Sequence, residues 1–342
     1  MRKYTFLLLL IGFNAGATDS YGVGQRDYVL QDSARSRKLA THVWYPVDSG
    51  TQMSPAQANG PFLPVVAALN APLAGTPPKR FPVVLLSHGS MGMAKRLFWL
   101  TEHLVRHGIV VLGVDHPGNR TGDSSAEGAV RQWDRAKDLS FALDRLVELP
   151  EFKSHLDLTR VAAAGHSAGG TTVLLLAGAR FSASQFTNPS PKCSGTDDPY
   201  YSKQCEQLKA IDFKTYPRNV VEGNYTDPRV QAIVAFDPGF VRSFKAESLR
   251  KLKAKPLLFI AEKLAVPQDE LYSKEFARYL PSISVETVPG SFHMTFMNAC
   301  KPGLPPDDPE LKELCAGNDQ KLRIQKEVAE KSLAFFRNSW SD

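Results

Sequence analysis

The run Arg160-Val161-Ala162-Ala163-Ala164-Gly165-His166-Ser167-Ala168-Gly169-Gly170-Thr171-Thr172-Val173-Leu174-Leu175-Leu176 decides how this chain is read. One apolar stretch leads into Gly-x-Ser-x-Gly at 165–169, and a second leads out of it. The pattern predicts a strand, a sharp turn that lifts Ser167 into the open, and a helix. Ser167 would then sit at a helix N-terminus, where unpaired N–H groups and the dipole favour negative charge. Gly-x-Ser-x-Gly arises by chance in roughly one chain of this size in ten. Its weight therefore comes from the strand before it, the helix after it and the partners downstream.

Outward from this turn the same alternation repeats. Arg26 to Leu30 and Leu39 to Tyr45 read as strands around a polar turn, Asp32 to Lys38, with Pro46 closing the second. Residues 48–80 are rich in Pro, Ala, Gly and polar residues and read as loop. Phe81 to Ser87 is a continuous apolar strand ending in His88-Gly89-Ser90. Residues 94–107 have a helical apolar period (Leu97, Leu100, Leu104, Val105) stopped by Gly108. Ile109 to Val114 is the next strand, and Trp133 to Leu149 a helix. Beyond the central motif come strands at Val230 to Phe236, Pro256 to Ala261 and Ile283 to Val288. Helices are expected at Glu270 to Leu280 and from about Gln320 to Arg337. Such alternation marks an α/β chain, a mostly parallel sheet covered by helices on both faces. Ligands of such sheets bind beyond the carboxyl ends of the strands, where Ser167, His88, Asp115 and Asp237 would lie. Residues 180–228 break the rhythm. They read as an insertion before the acid-bearing strand, lying over the top of the sheet as a lid or substrate wall.

The first residues have the form of an export signal. Arg2 and Lys3 precede an apolar core, Phe6 to Phe13, and Ala15-Gly16-Ala17 is a small-residue cleavage site. A signal peptide over 1–17 and one domain over 18–342 are expected, with the mature chain exported to periplasm or medium. The apolar core is too short for a membrane span, and no other segment is long and apolar enough. Four cysteines in two close pairs, Cys193, Cys205, Cys300 and Cys315, fit two disulfides in an exported chain. Pairing of neighbours is one of three connectivities and closes the shortest loops. The spacings are poor for zinc, so no metal is expected. The formal charge of +6 is evenly scattered, and a nucleic-acid partner is not expected.

Ser167 needs a base to take its proton, and the base needs an acid. With this type of turn the partners follow in the order Ser, acid, His. Of the eight histidines only His293 follows Ser167, in a loop after the last strand. Asp237 ends an apolar strand before Pro238-Gly239, so its carboxylate should emerge at the same rim. Glu262 and Asp269, after the next strand, are the rival acids. The amide of Ala168, next to the nucleophile, and that of Ser90, in the loop after Phe81–Ser87, are the candidate oxyanion donors. Gly89 would allow close approach, and His88 reads as a structural partner of that loop.

Several stretches stand in the order of a known family. They are Ser-His-Gly (87–89), Arg-His-Gly-Ile-Val-Val (106–111), Asp115-His116, Gly-His-Ser-x-Gly-Gly (165–170), Phe236-Asp237, Pro-Leu-Leu-Phe-Ile (256–260) and Gly-Ser-Phe-His (290–293). The chain resembles the plasma-type platelet-activating factor acetylhydrolases. It is closer still to their bacterial relatives labelled predicted dienelactone hydrolases, which Trp44-Tyr45-Pro46 also fits. The resemblance covers most of residues 20–300. It implies an α/β-hydrolase fold, a serine esterase acting on small-molecule or lipid esters, no cofactor, and Asp237 as the acid. Ala168 stands where the animal enzymes carry a bulky aromatic, and the insertion is extra. The phospholipid substrate is therefore not carried over, and short or medium acyl esters are the expectation. Two other classes stay open, a binding module that has kept the fold and an amidase or peptidase on the same triad. A silent module would have lost its nucleophile or base, and neither is lost.

Overall fold

Val83 and Leu85 face one side of the central sheet, and Val84 and Leu86 face the other, all fully buried. A strand alternates its side chains between faces, so a run that is apolar at every position needs cover on both. The computed structural model describes residues 21–76, 79–186, 211–263, 284–304, 311 and 314–341. Its strands are β1 (Tyr21–Asp32), β2 (Arg37–Asp48), β3 (Ser54–Gln57), β4 (Val65–Leu69), β5 (Phe81–Ser87) and β6 (Val110–Asp115). There follow a small hairpin, β7 (Asn119–Arg120) and β8 (Asp123–Ser124), then β9 (Leu156–His166), β10 (Val230–Phe236), β11 (Lys255–Lys263) and β12 (Ser284–Phe292). Ten of them form one sheet in the order β12-β11-β10-β9-β5-β6-β2-β1-β4-β3. From β12 to β6 all neighbours are parallel, and β2 then joins β6 antiparallel. This is the α/β-hydrolase fold.

Two helices cover each face. Helices α2 (Gln132–Leu146) and α3 (Ala168–Leu176) pack with Val83, Leu85, Ala163 and Ile233. Helices α1 (Phe98–Arg106) and α4 (Asn318–Ser339) pack with Val84, Leu86, Ala164 and Val234. In α1 and α4 one face is apolar (Leu100, Leu104, Ile324, Val328, Phe336), as the sequence period requires. Helix α3 is buried all round, so it shows no such period.

Three expectations are corrected. Pro46 does not end its strand: β2 runs on to Asp48. Its ladder to β6 stops at Trp44, so the missing N–H removes no bond from that side. Residues 48–80 are not all loop, because β3 and β4 extend the sheet there. They are short, and β4 meets β1 at only two residue pairs, so their sequence signal is weak. Residues 180–228 read as polar in the sequence, yet their described flanks are not purely so. Phe181, Phe186 and Phe213 are buried, and Phe186 and Tyr216 contact Trp133 at the start of α2. The signal peptide, the helix at 270–280, Cys193 and Cys205 lie outside the described residues.

Candidate active site

The backbone at Ser167 has φ 55° and ψ −118°, a conformation that L-residues rarely adopt. It is held on both sides: Ser167 N–H donates to Phe236 O (2.9 Å), and Gly239 N–H donates to Ser167 O (3.0 Å). Strand β9 ends at His166 and α3 begins at Ala168, leaving Ser167 half-buried on the corner between them. The glycines are needed because of close backbone approach. A Cβ on Gly169 would stand 1.9 Å from Ser87 O, and one on Gly165 would stand 2.2 Å from Gly169 O.

Asp237 follows β10 at φ 42°, with its N–H on Phe259 O (2.7 Å). Its Oδ2 lies 2.5 Å from His293 Nδ1, and its Oδ1 accepts from Ala261 N–H (3.3 Å). His293 opens a short 3-10 turn after β12 and is buried. His166, beside Ser167, ties this loop to the corner. Its Nε2 is 3.0 Å from His293 O, and the two rings are 4.6 Å apart. A carbonyl only accepts, so His166 carries its proton on Nε2. Burial, reinforced by the nearby His293, pushes the His166 pKa well below the usual range, so it is a neutral donor. The structure therefore brings the Asp237–His293 pair up to the Ser167 corner. Glu262 goes elsewhere: its Oε2 accepts from Gly290 N–H (2.8 Å) in the turn before His293. Asp269 lies outside the described residues.

The loop His88 to Met93 lies against Ser167, since a Cβ on Gly89 would be 3.4 Å from Ser167 Cβ. Asn119 Oδ1 accepts from both Ser90 Oγ (3.0 Å) and Met91 N–H (2.8 Å), which fixes the Ser90 peptide. Ala168 is the first residue of α3, so its N–H has no partner inside the helix. Beneath the loop is a buried polar assembly. Arg135 donates to His88 O, and His88 Nε2 accepts from His116 N–H (3.0 Å), leaving Nδ1–H for Gly89 O (2.6 Å). His116 joins Ser87 Oγ (3.0 Å) to Asp138 (3.1 Å). Burial, with Arg135 nearby, lowers the His116 pKa to about 4, so it is neutral. Asp138 also takes Arg35 (2.8 Å) and both arms of Arg37 (2.8 and 2.7 Å). Burial alone would raise its pKa, but His116 and Arg37 hold it well below the carboxylate range. A buried carboxylate is tolerated when its acceptor sites are met in this way.

Sequence reasoning missed the residues that hold the His293 loop. Gln325 Nε2 donates to Thr295 O (2.8 Å) and Met297 O (2.5 Å), and Lys321 Nζ donates to Leu314 O (2.8 Å). Trp99 Nε1 donates to Phe296 O (2.9 Å), and Asn318 brackets the backbone of Cys300 (2.8 and 2.9 Å). Cys300 and Cys315 are disulfide-bonded. The polar residues within the apolar face of α4 (Lys321, Gln325) were the only available hint. Among the described residues no group of three or more His, Cys, Asp or Glu side chains could hold a metal ion. No helix among them is long and apolar enough to cross a membrane.

A family model described as "Serine aminopeptidase, S33" (Hydrolase_4) matches residues 78–254, just over half of the chain. Cutinase 2 of Thermobifida cellulosilytica is 33% identical over 102 residues, 29% of this chain and 36% of that protein. Cutinase cut1 of Thermobifida fusca is 33% identical over 102 residues, 29% of each chain. The chain thus spans about a third of the length of the curated relatives it matches. A solved ferulic acid esterase from Streptomyces cinnamoneus superposes with a TM-score of 0.58 at 22% identity, over 95% of this chain and 92% of that one. At that identity the likeness is one of fold.

Proposed function

This chain belongs to the serine aminopeptidase S33 family of α/β-hydrolases, and from that premise we propose an exported serine hydrolase that cleaves carboxylic esters. The observation that carries the reading is the 2.5 Å contact between His293 Nδ1 and Asp237, with His166 tying the same loop to the Ser167 corner. Nδ1–H bound to the carboxylate leaves Nε2 as the basic nitrogen, facing the task of taking the serine proton.

In the proposed cycle Ser167 Oγ bonds to the ester carbonyl carbon and its proton passes to His293. The carbonyl oxygen becomes an oxyanion, received by the amides of Ala168 and Ser90. Two such donors contribute several kcal/mol, since losing one costs about 3 kcal/mol. Collapse breaks the carbon–alkoxy bond, and His293 gives its proton to the departing alcohol. Water, deprotonated by His293, then attacks the acyl-enzyme, and the acid leaves with Ser167 restored. Asp237 orients His293 and stabilises its imidazolium throughout.

Short or medium acyl esters are the favoured substrates. The small side chain at Ala168 supports this, and similarity to cutinases over 102 residues supports ester cleavage as such. The motif order shared with the platelet-activating factor acetylhydrolases supports the same three residues. Export is supported by the leader-like residues 1–17 and by the Cys300–Cys315 disulfide. Hydrolysis of p-nitrophenyl acetate and butyrate by the mature protein, and labelling by a fluorophosphonate, test the proposal. Ser167→Ala should lose the label and at least about a thousandfold in kcat. Equal rates in the two proteins overturn it. The family's peptidase name favours amide cleavage as the second reading, and a matched ester and amide pair decides between them.

A further inference from the structure

At the end of the sheet remote from Ser167, the starts of β5 and β6 border a groove of about 270 Å³. Ser167 follows the last residue of β9, whereas the groove is built on Phe81, Pro82 and Ile109, at the opposite strand ends. Four cationic side chains line it: Lys79, Arg80, Arg160 and Arg337. None of its described lining residues is acidic. A volume of this size takes a small molecule or a head group, not an extended chain.

The donors are only partly used. Arg160 Nε meets Asp157 (2.6 Å) outside the groove, and Arg337 reaches His107 O (3.4 Å). Lys79 donates to the Tyr21 hydroxyl and stands 5.0 Å from the centre of that ring. A guanidinium has five N–H groups, so each arginine keeps donors in hand. The independent observation is Trp340. Its indole nitrogen is buried and has no hydrogen-bond partner among the described residues. Indole N–H only donates, and a buried donor left unmet is uncommon. Stacking on Phe336 (centroids 5.8 Å, 19°) fixes the ring, and Tyr21 and Phe81 form a second aromatic wall (5.6 Å, edge to face).

Guanidinium, ammonium and indole groups all donate and none accepts, so they call for an acceptor of negative charge. We propose that this groove binds an oxyanion, a phosphate or carboxylate, carried on a short aromatic or apolar stem. The stem lies along Trp340 and Tyr21, and the oxyanion meets Arg80 and Arg337.

Calorimetric titration of the full chain with phenyl phosphate tests this, with benzyl alcohol as the uncharged control. Saturable binding that weakens as salt is raised is expected for phenyl phosphate only. The double variant Arg80→Gln/Arg337→Gln should weaken it by about tenfold or more. Trp340→Ala removes the apolar wall and should weaken binding about threefold or more. Both variants should hydrolyse p-nitrophenyl butyrate at the parent rate, which also shows that they are folded. No saturable heat, equal binding of benzyl alcohol, or unchanged affinity in both variants overturns the proposal. Phosphatidylcholine vesicles with and without phosphatidic acid then separate the sources. Retention that needs phosphatidic acid and the two arginines assigns a lipid head group. Binding of phenyl phosphate without vesicle retention assigns a soluble ligand.

Discussion

His293 Nδ1 and Asp237 Oδ2 are 2.5 Å apart although 56 residues separate them in the chain. Glu262, which competes for the same role on sequence grounds, instead holds the amide of Gly290. Asp237→Asn should therefore lower kcat for p-nitrophenyl butyrate by about ten-thousandfold, because the amide stabilises the wrong tautomer. Glu262→Gln, which touches only the turn, should lower it by less than about tenfold. The reverse ranking moves the acid to Glu262.

Gly169→Ala tests the corner itself. The added methyl would meet Ser87 O at 1.9 Å, Ser87 C at 2.6 Å and His88 O at 2.8 Å, backbone atoms that leave it no room. The expected loss is at least about 3 kcal/mol of stability, read by urea unfolding, with activity falling alongside. Gly50, with open space around its Cβ position, is the control: Gly50→Ala should be near neutral.

His42 bridges Asp27 (2.7 Å) and Asp115 (3.3 Å), and Asp115 accepts from the amide of Ala94, just after the His88–Met93 loop (2.7 Å). Burial lowers the His42 pKa, but its hydrogen bonds to the Asp115 and Asp27 carboxylates outweigh this and raise it to about 9 from 6.5. The folded chain thus holds a proton that the unfolded chain has lost between these values. The contribution is complete below pH 6.5 and disappears as pH rises through about 9. Unfolding free energy of the parent minus that of His42→Gln should fall by on the order of 2 kcal/mol across this window.

Lys321 gives the opposite sign. Burial lowers its pKa from 10.5 to about 7, so between these values the unfolded chain binds the extra proton. Stability should rise with pH over that range. The parent minus Lys321→Met difference should grow by on the order of 3 kcal/mol from pH 7 to 10.5. A flat difference would mean that the amine keeps its ordinary affinity for the proton.

The central strands were legible because burial on both faces leaves unbroken apolar runs, as at Phe81–Ser87 and Val230–Phe236. The corner at Ser167 was legible because of its fixed glycine spacing, and the His293 loop stood out because that histidine alone follows the corner. Asp237 could not be separated from Glu262 by pattern, since both follow apolar strands; only the turn of each backbone decides. Strands β3 and β4 were hidden because a few backbone pairs at a sheet edge ask little of side chains. Gln325, Lys321 and Asn318 were hidden for a different reason. They bind backbone carbonyls and amides, which carry no side-chain signature. The Arg35, Arg37 and Asp138 assembly joins positions about a hundred residues apart, a distance no local period spans.

The grip of Asn318–Ser339 on the His293 loop has a temporal consequence. Ser167, Asp237 and His293 all precede that helix in the chain, yet the His293 loop lacks these supports until the helix docks. The order of that loop thereby depends on a helix that is made after it.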